Sequence, residues 1–372
     1  MGAANARRYD ATWSVIEKRH GWSIAEQEMQ NRKVANSLLT FAFQDYDNRR
    51  AVQFRQQHKL EELVATAADD WEAALRLRHW TFNNIRNGVP SFESIDPLAF
   101  IPASQAGGTF WCTYYAYAFV AAASSLGHPA RHMGVDCDRT LEEPGSHHGV
   151  VDVWVNKFRK WVALDPHYDL HYELDGVPLN AEEIAQVWIT RKGAGVKALI
   201  GPERREVPFV REIRPGVHES CGYFWFYIDL NCQVFQKLGQ PYPDPAAILL
   251  TPARKDRIWY QGKEKHCRYA QNSFVPTERY NDVYPELNCV ELEPSQRPAL
   301  PYCSPVRIWT GTVPNFSHFE VSIDGGAPFR YEGIEFPWQL HPGNCSLMVR
   351  TVNLGGQRGP ESRISLRIEA AR

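Results

Sequence analysis

The sequence predicts a multidomain α+β protein in which helices pack on an antiparallel sheet, followed by a β-rich region and a C-terminal β-sandwich. Three observations carry this reading. Apolar residues recur at helical spacing over 60–85 and 112–126; two-residue alternation follows over 151–155, between strand-like runs at 130–135 and 161–164; and beyond Pro301 short alternating strands are separated by turn signals. With 372 residues, 44% hydrophobic and 23% charged, the chain can bury more than one core. The expected division is a helical lead-in packed on the core (1–57), the core (58–200), a β-rich region of unassigned role (201–298) and a sandwich (299–372).

Composition excludes little but directs attention. A formal charge of −2 with scattered Lys and Arg provides no basic stripe, so no nucleic-acid partner is expected. Apolar runs such as AYAFVAAA fall well short of the roughly 18–20 residues a membrane span needs. No export signal is visible in MGAANARRYD, although the sandwich tail favours a secreted or periplasmic setting. Eight cysteines (Cys112, Cys137, Cys221, Cys232, Cys267, Cys289, Cys303, Cys345) form no CxxC pair, so neither a metal site nor a cofactor is expected. Most read as buried thiols, with one or two disulfides in the C-terminal half if the protein is exported.

In chain order, polar residues with apolar clusters such as SLLTFAF make up the lead-in. Residues 60–85 then form an amphipathic helix with Trp71, Ala74, Leu75, Phe82 and Ile85 on one stripe. Asp69 or Asp70 caps it, and Asn87-Gly88 stops it. Pro90, Pro97 and Pro102 mark 89–106 as a surface loop. That loop delivers Gly107-Gly108-Thr109-Phe110-Trp111-Cys112, and helical periodicity from Cys112 runs to the Leu126-Gly127 stop. Cys112 therefore sits in a first helical turn, where unpaired N–H groups and the dipole favour thiolate. The paired glycines upstream permit close backbone approach.

Downstream, ARHMGV reads as a strand, and the loop 136–146 leads to His147-His148. Val151, Val153 and Val155 alternate with Asp152 and Trp154, Phe158-Arg159-Lys160 turns, and WVAL returns to Asp165-Pro166. Such a hairpin brings His148 and Asp165 together at one edge of the sheet. A helix-borne Cys112 facing that edge completes nucleophile, base and orienting carboxylate. Register with VDVWV selects His148 over His147 as the base. The backbone N–H of Cys112 is the first oxyanion donor and Gln105 a second candidate. Trp111, His147 and the dense run His167, Tyr168, His171 and Tyr172 are candidate ligand contacts.

The series GG-x-x-x-C, A-x-x-x-LG-x-PAR, H-x-x-V-D-V-W-V and W-V-x-L-DP resembles the transglutaminase-like core, a fold related to papain. The helix LVATAADDWEAALRLRHW is similar to that family's helix ahead of the nucleophile, and the resemblance covers about residues 58–190. It implies Cys112 as nucleophile, His148 as base and Asp165 as carboxylate. The family often has an aromatic where Val150 stands and a threonine where His167 stands, so substrate contacts differ there. The tail resembles a fibronectin type III or immunoglobulin-like sandwich, with Asp324-Gly325-Gly326 suited to a hairpin turn.

The expected chemistry is acyl transfer at an amide through a thioester on Cys112, with water as acceptor. The absence of an EF-hand pattern and of any marked amine site favours hydrolysis. Three alternatives stand beside it: transamidation that crosslinks protein amines, polysaccharide cleavage by His and Tyr groups of the same cleft, and a non-catalytic extracellular binding protein. The expected partner is a peptide, protein or glycan substrate. Oligomeric state is not legible in the sequence.

Overall fold

The computed structural model describes residues 9–35, 37–137, 146–191, 193–207, 211–214, 217–219, 223–236, 257–260, 275–295 and 302–370. They divide into two compact units, Ser37–Tyr284 and Met1–Asn36 with Pro285–Arg372. Among the described residues no helix is long and apolar enough to cross a membrane.

In the larger unit the helix Cys112–Ser125 is the centre of the core, buried from Thr113 to Ser125. Its sequence, CTYYAYAFVAAASS, explains this: alanines let neighbouring backbone approach on every side, and the aromatics fill the space beyond. Phe119 and Val120 share an apolar cluster with Trp71, Leu75 and Leu77 of the helix Asp70–Asn84 and with Val151, Val153, Val162 and Leu164 of the sheet. Burying an aliphatic side chain of this size stabilises by roughly 1.5–3 kcal/mol, so this cluster dominates the unit.

The expected long helix over 60–85 is two helices, Leu60–Val64 and Asp70–Asn84. Asp69 caps the second, accepting from the Glu72 N–H at 3.0 Å. Phe82, expected in the stripe, is 41% exposed. Leu77 and Arg78 are fully buried instead, so the buried face is turned from the predicted one. The expected loop over 89–106 contains a helix, Pro97–Gln105. Asp96 caps it through the Leu98 N–H and Pro97 occupies its first turn, a position where proline's missing N–H does no harm. Gly107 (φ 109°) and Gly108 end that helix; a Cβ on Gly108 would stand 2.9 Å from the Ala103 carbonyl oxygen. These glycines shape the approach to Cys112 by turning the chain.

The sheet of this unit runs in the order Val275–Thr277, Arg257–Tyr260, Tyr223–Asp229, Ala130–Cys137, Ser146–Val155, Lys160–Asp165, Leu170–Leu174, Val196–Ile200, Arg205–Val207. The expected hairpin is present, with Val151 opposite Leu164 and Val155 opposite Lys160. Residues 201–298, expected as a β-rich region packed beside or over the core, lend strands to this same sheet: Tyr223–Asp229 pairs antiparallel with Ala130–Cys137. The strand-like run AAILL lies outside the described residues. Arg131 and Asp152 face each other on adjacent strands, both wholly buried, with the guanidinium 2.9 Å from the carboxylate and 4.1 Å above the Trp161 ring. Burial pushes the Asp152 carboxyl up against the opposing pull of Arg131.

In the smaller unit the first described helix, Asp10–His20, precedes a strand, Trp22–Gln30, that pairs antiparallel with the last strand, Ser362–Ala370. The lead-in expected as helical over 1–57 is helical at Asp10–His20 and Arg49–Gln57, while Trp22–Gln30 is a strand of the smaller unit. WSIAEQEMQ is poor in strand-forming residues, and pairing with an available edge overrides local preference. Five strands lie in one sheet and three in another, Val290–Pro294, Cys303–Thr310 and Glu335–Gln339. Leu292, Val306 and Trp338 of the smaller sheet join Val321, Leu347 and Ile364 of the larger in one cluster with Trp13. Cys303 and Cys345 are buried free thiols, so neither supplies a disulfide.

Replacing Arg131 with Met strands a buried carboxylate. Chemical denaturation of R131M is expected to show a loss of about 3–5 kcal/mol, whereas R131M with D152L recovers most of it.

Candidate active site

The three residues that chain order singles out meet. Cys112 is the first residue of its helix, after Trp111, whose extended backbone (ψ −177°) serves as cap position. His148 lies near the start of Ser146–Val155, and Asp165 ends Lys160–Asp165. His148 Nε2 stands 2.9 Å from Asp165 Oδ2, which leaves Nδ1 for the hydrogen bond that His148 shares with Cys112. Asp165 is buried, His148 is 18% exposed and Cys112 is partly buried. The other carboxylate oxygen, Oδ1, accepts from the backbone N–H groups of His167 at 3.0 Å and Tyr168 at 3.2 Å. Asp165 is therefore held from both sides.

The electrostatics follow from that geometry. Burial pushes the Cys112 thiol up, but the hydrogen bond and charge of His148 and the Gly149 N–H outweigh it, and the thiol lies below its ordinary value. Burial opposes protonation of His148, yet the Asp165 carboxylate raises it well above the usual imidazole range. Asp165 is lowered, burial being overcome chiefly by His148. All three shifts favour one state: thiolate, imidazolium, carboxylate.

Gly149 is a residue the sequence reading passed over. Its N–H donates to Cys112 Sγ at 3.3 Å. A Cβ there would lie 3.1 Å from Thr113 Cα and 3.2 Å from Thr113 N, closer than ordinary packing. Only glycine lets the strand touch the helix start this closely. The signal was present as a glycine inside a strand pattern, directly after the candidate base.

The other candidates divide. His167 and Tyr168 flank the site: their rings each lie 5.4 Å from the His148 ring, and Tyr115 meets His167 edge-on at 4.8 Å. Tyr115 is itself fixed by donating to the Ile85 carbonyl at 2.7 Å, and burial pushes its phenol up to about 12. Trp111, next to the nucleophile, is 44% exposed. Gln105 is exposed and donates to Asn84 Oδ1 at 2.8 Å. His147 pairs through its backbone with Asp136, and its side chain lies outside the described residues.

His171 and Tyr172 are buried, and His171 belongs to a different network. Arg78, wholly buried, donates to Asp169 Oδ1 at 2.7 Å and to His171 Nδ1 at 2.6 Å, and the opposite ring nitrogen of His171 meets Glu173 at 2.9 Å. Burial pulls His171 down to about 4, so it is neutral, donating to Glu173 and accepting from Arg78. This network ties the helix Asp70–Asn84 to the chain just past Asp165. The signal for it, a charged residue at a helical position next to the apolar stripe, is ambiguous without a partner in view.

The family model described as Transglutaminase-like superfamily matches residues 57–166. This segment is a transglutaminase-like superfamily domain. No curated protein matches the chain. Among solved structures, the chain is similar to a provisionally named cysteine protease from Cytophaga hutchinsonii, at 19% identity and TM-score 0.25, over 31% of this chain and 37% of that one. It is also similar to a chain of Rad4–Rad23 bound to a 6-4 photoproduct UV lesion, at 14% identity and TM-score 0.21, over 32% and 34%. Red sea bream transglutaminase aligns at 9% identity and TM-score 0.23, over 96% and 78%. The chain spans about a third of the length of the first two. Likeness at these scores carries no weight; the match of the transglutaminase-like domain and the geometry at Cys112 do.

Two measurements probe the site. Iodoacetamide should label Cys112 selectively at a pH below that of an ordinary thiol, near 8.5. In Asp165→Asn the imidazolium loses its main support, so the labelling profile should move to higher pH; an unmoved profile would contradict the ion-pair reading. Gly149→Ala, with about 1–3 kcal/mol of overpacking at the Thr113 contact, should slow labelling severalfold while the far-UV spectrum stays native.

Proposed function

We propose that the transglutaminase-like domain hydrolyses an amide by acyl transfer through Cys112. The observation that supports this most directly is the mutual charge stabilisation of Cys112, His148 and Asp165. The Cys112 thiolate attacks the carbonyl carbon, and the carbonyl electron pair moves to oxygen. Backbone N–H groups at the helix start stabilise that oxyanion. The His148 imidazolium gives its Nδ1 proton to the departing nitrogen, the C–N bond breaks, and a thioester remains on Cys112. Water then attacks, its proton passes to His148, and the thiolate leaves. Asp165 holds the imidazole ring by Nε2 throughout and favours its charged form.

The exposed Trp111 and the rings of His167 and Tyr168 beside His148 support a substrate with flat or apolar groups next to the scissile amide, as in a peptide or protein. An amine in place of water would make the same thioester the intermediate of a transamidase. Glycan cleavage loses support from the burial of His171 and Tyr172, half of the His and Tyr cluster on which it rested.

We further propose that the smaller unit is an accessory module of the fibronectin type III kind. The support is strand order: of the seven strands among the described residues beyond 289, the first, second and fifth share one sheet, and the third, fourth, sixth and seventh share the other.

The reading is tested by incubation with a peptide-amide library and a glycan library, followed by intact-mass analysis. An acyl adduct on Cys112 and free acid as product are expected. Cys112→Ala should abolish turnover, and His148→Ala should lower it by on the order of 10⁴-fold or more. Product formation by Cys112→Ala at the wild-type rate would sink the proposal. Between the two titrations the rate should be flat, its acid limb set by Cys112 below the ordinary thiol range and its basic limb by His148 well above the ordinary imidazole range.

A further inference from the structure

In the smaller unit, Asp324 follows the strand Phe316–Ile323, His341 follows Glu335–Gln339, and Cys345 lies near the start of Gly343–Asn353. Chain folding brings one ligand atom of each within 4.8 Å of the other two. His341 Nε2 is 3.0 Å from Asp324 Oδ2, and His341 Nδ1 is 2.9 Å from the Pro342 carbonyl oxygen. A carbonyl oxygen only accepts, so Nδ1 carries a hydrogen toward Pro342. Nε2 then faces a carboxylate oxygen, which also only accepts. The pair is satisfied by a second proton on the ring or by a cation between the two atoms.

The surroundings also suit a cation. Every potential ligand is fixed from behind by a backbone group. Asp324 Oδ1 accepts from the Ser346 N–H at 2.7 Å, which aims Oδ2 at His341. His341 is held by Pro342 O as above. Cys345 Sγ accepts from the His341 N–H at 3.3 Å and, as a thiol, donates to the His341 carbonyl oxygen at 3.1 Å, a bond that metal binding would exchange for a metal–sulfur bond. Such backing of a histidine by a carbonyl, and of the other ligands by backbone bonds, is the outer-shell arrangement of metal sites. It leaves one oxygen, one imidazole nitrogen and one sulfur converging. The side chains of His341 and Asp324 are 50% and 36% exposed, so water can reach a fourth position.

We propose that Asp324, His341 and Cys345 bind a divalent transition metal, zinc fitting this O, N, S set best. Sulfur and nitrogen ligands disfavour calcium and magnesium, which take oxygen. On binding, the Cys345 thiol gives up its proton, as does any proton on His341 Nε2. Both pass to solvent while metal–sulfur and metal–nitrogen bonds form, with no change of oxidation state. The ion joins the Asp324 turn to the His341–Cys345 turn. This site was invisible to cysteine spacing because it uses a single cysteine, a histidine four residues before it and a carboxylate from a neighbouring turn.

The test uses the full chain carrying Cys112→Ala, so that the candidate active site contributes no thiolate. Cobalt(II) is the probe, read by its thiolate-to-metal absorption and by metal content after desalting, with zinc as competitor. The expected result is an equivalent of cobalt with a thiolate band, displaced by zinc. That equivalent should be lost in Cys345→Ser and weakened at least tenfold in affinity in His341→Ala and Asp324→Asn. Zinc should also raise the unfolding temperature of the smaller unit in the parent and not in His341→Ala, a largely exposed change that leaves the buried core alone. Unchanged cobalt content or band in Cys345→Ser and His341→Ala overturns the proposal, as does a parent that binds no cobalt.

Discussion

The candidate site depends on one close approach, the contact between the start of the helix Cys112–Ser125 and the strand Ser146–Val155 at Gly149. There the strand has no side chain, so its backbone lies against Thr113 and its N–H reaches Cys112 Sγ. With helix and strand locked at this distance, His148, the preceding residue, shares a hydrogen bond with the thiol. Asp165 then needs only the antiparallel return of the chain to meet the other side of the imidazole. A larger residue at position 149 would push the helix start from the strand and lengthen the contact of Cys112 with His148, leaving His148 and Asp165 together on their paired strands.

The second constraint is the treatment of buried charge. Asp165 is desolvated but has an imidazolium on one oxygen and two backbone N–H groups on the other, so ionisation is favoured. Four residues further on, Asp169 receives the buried Arg78 and meets the partly exposed His79, which fixes the segment that carries His167 and Tyr168. Arg131 and Asp152 perform the same service on the neighbouring strands. These pairs add little net stability over apolar replacements, but they specify register, since either charge alone would be costly in the core. The precision of the site therefore rests on polar contacts set within an apolar cluster.

Much of this was legible in the chain. The helix after Cys112, the hairpin and its register, and the meeting of His148 with Asp165 all follow from periodicity, because local hydrophobic spacing reports which face is buried. Other features were not. The stripe on the helix Asp70–Asn84 was predicted to include Phe82 and to omit Arg78, since a buried arginine is recognisable only when Asp169 and His171 are beside it. Residues 89–106 read as loop because three prolines obscured a helix that holds two of them, Pro97 and Pro102. His171 and Tyr172 resembled ligand contacts by type but are buried.

The helix after Cys112, the hairpin behind it and the choice of Cys112, His148 and Asp165 as a converging set were read from sequence alone, through patterns extending over a few residues. The tertiary structure decided what depends on residues far apart in the chain. It placed Trp22–Gln30 on the last strand and Tyr223–Asp229 between Ala130–Cys137 and Arg257–Tyr260 in the core sheet, gave Gly149 its role, and brought Asp324 to His341 and Cys345. Edge pairing and cross-strand contact have no local signature, because each partner supplies only half of the interaction and the other half lies tens or hundreds of residues away.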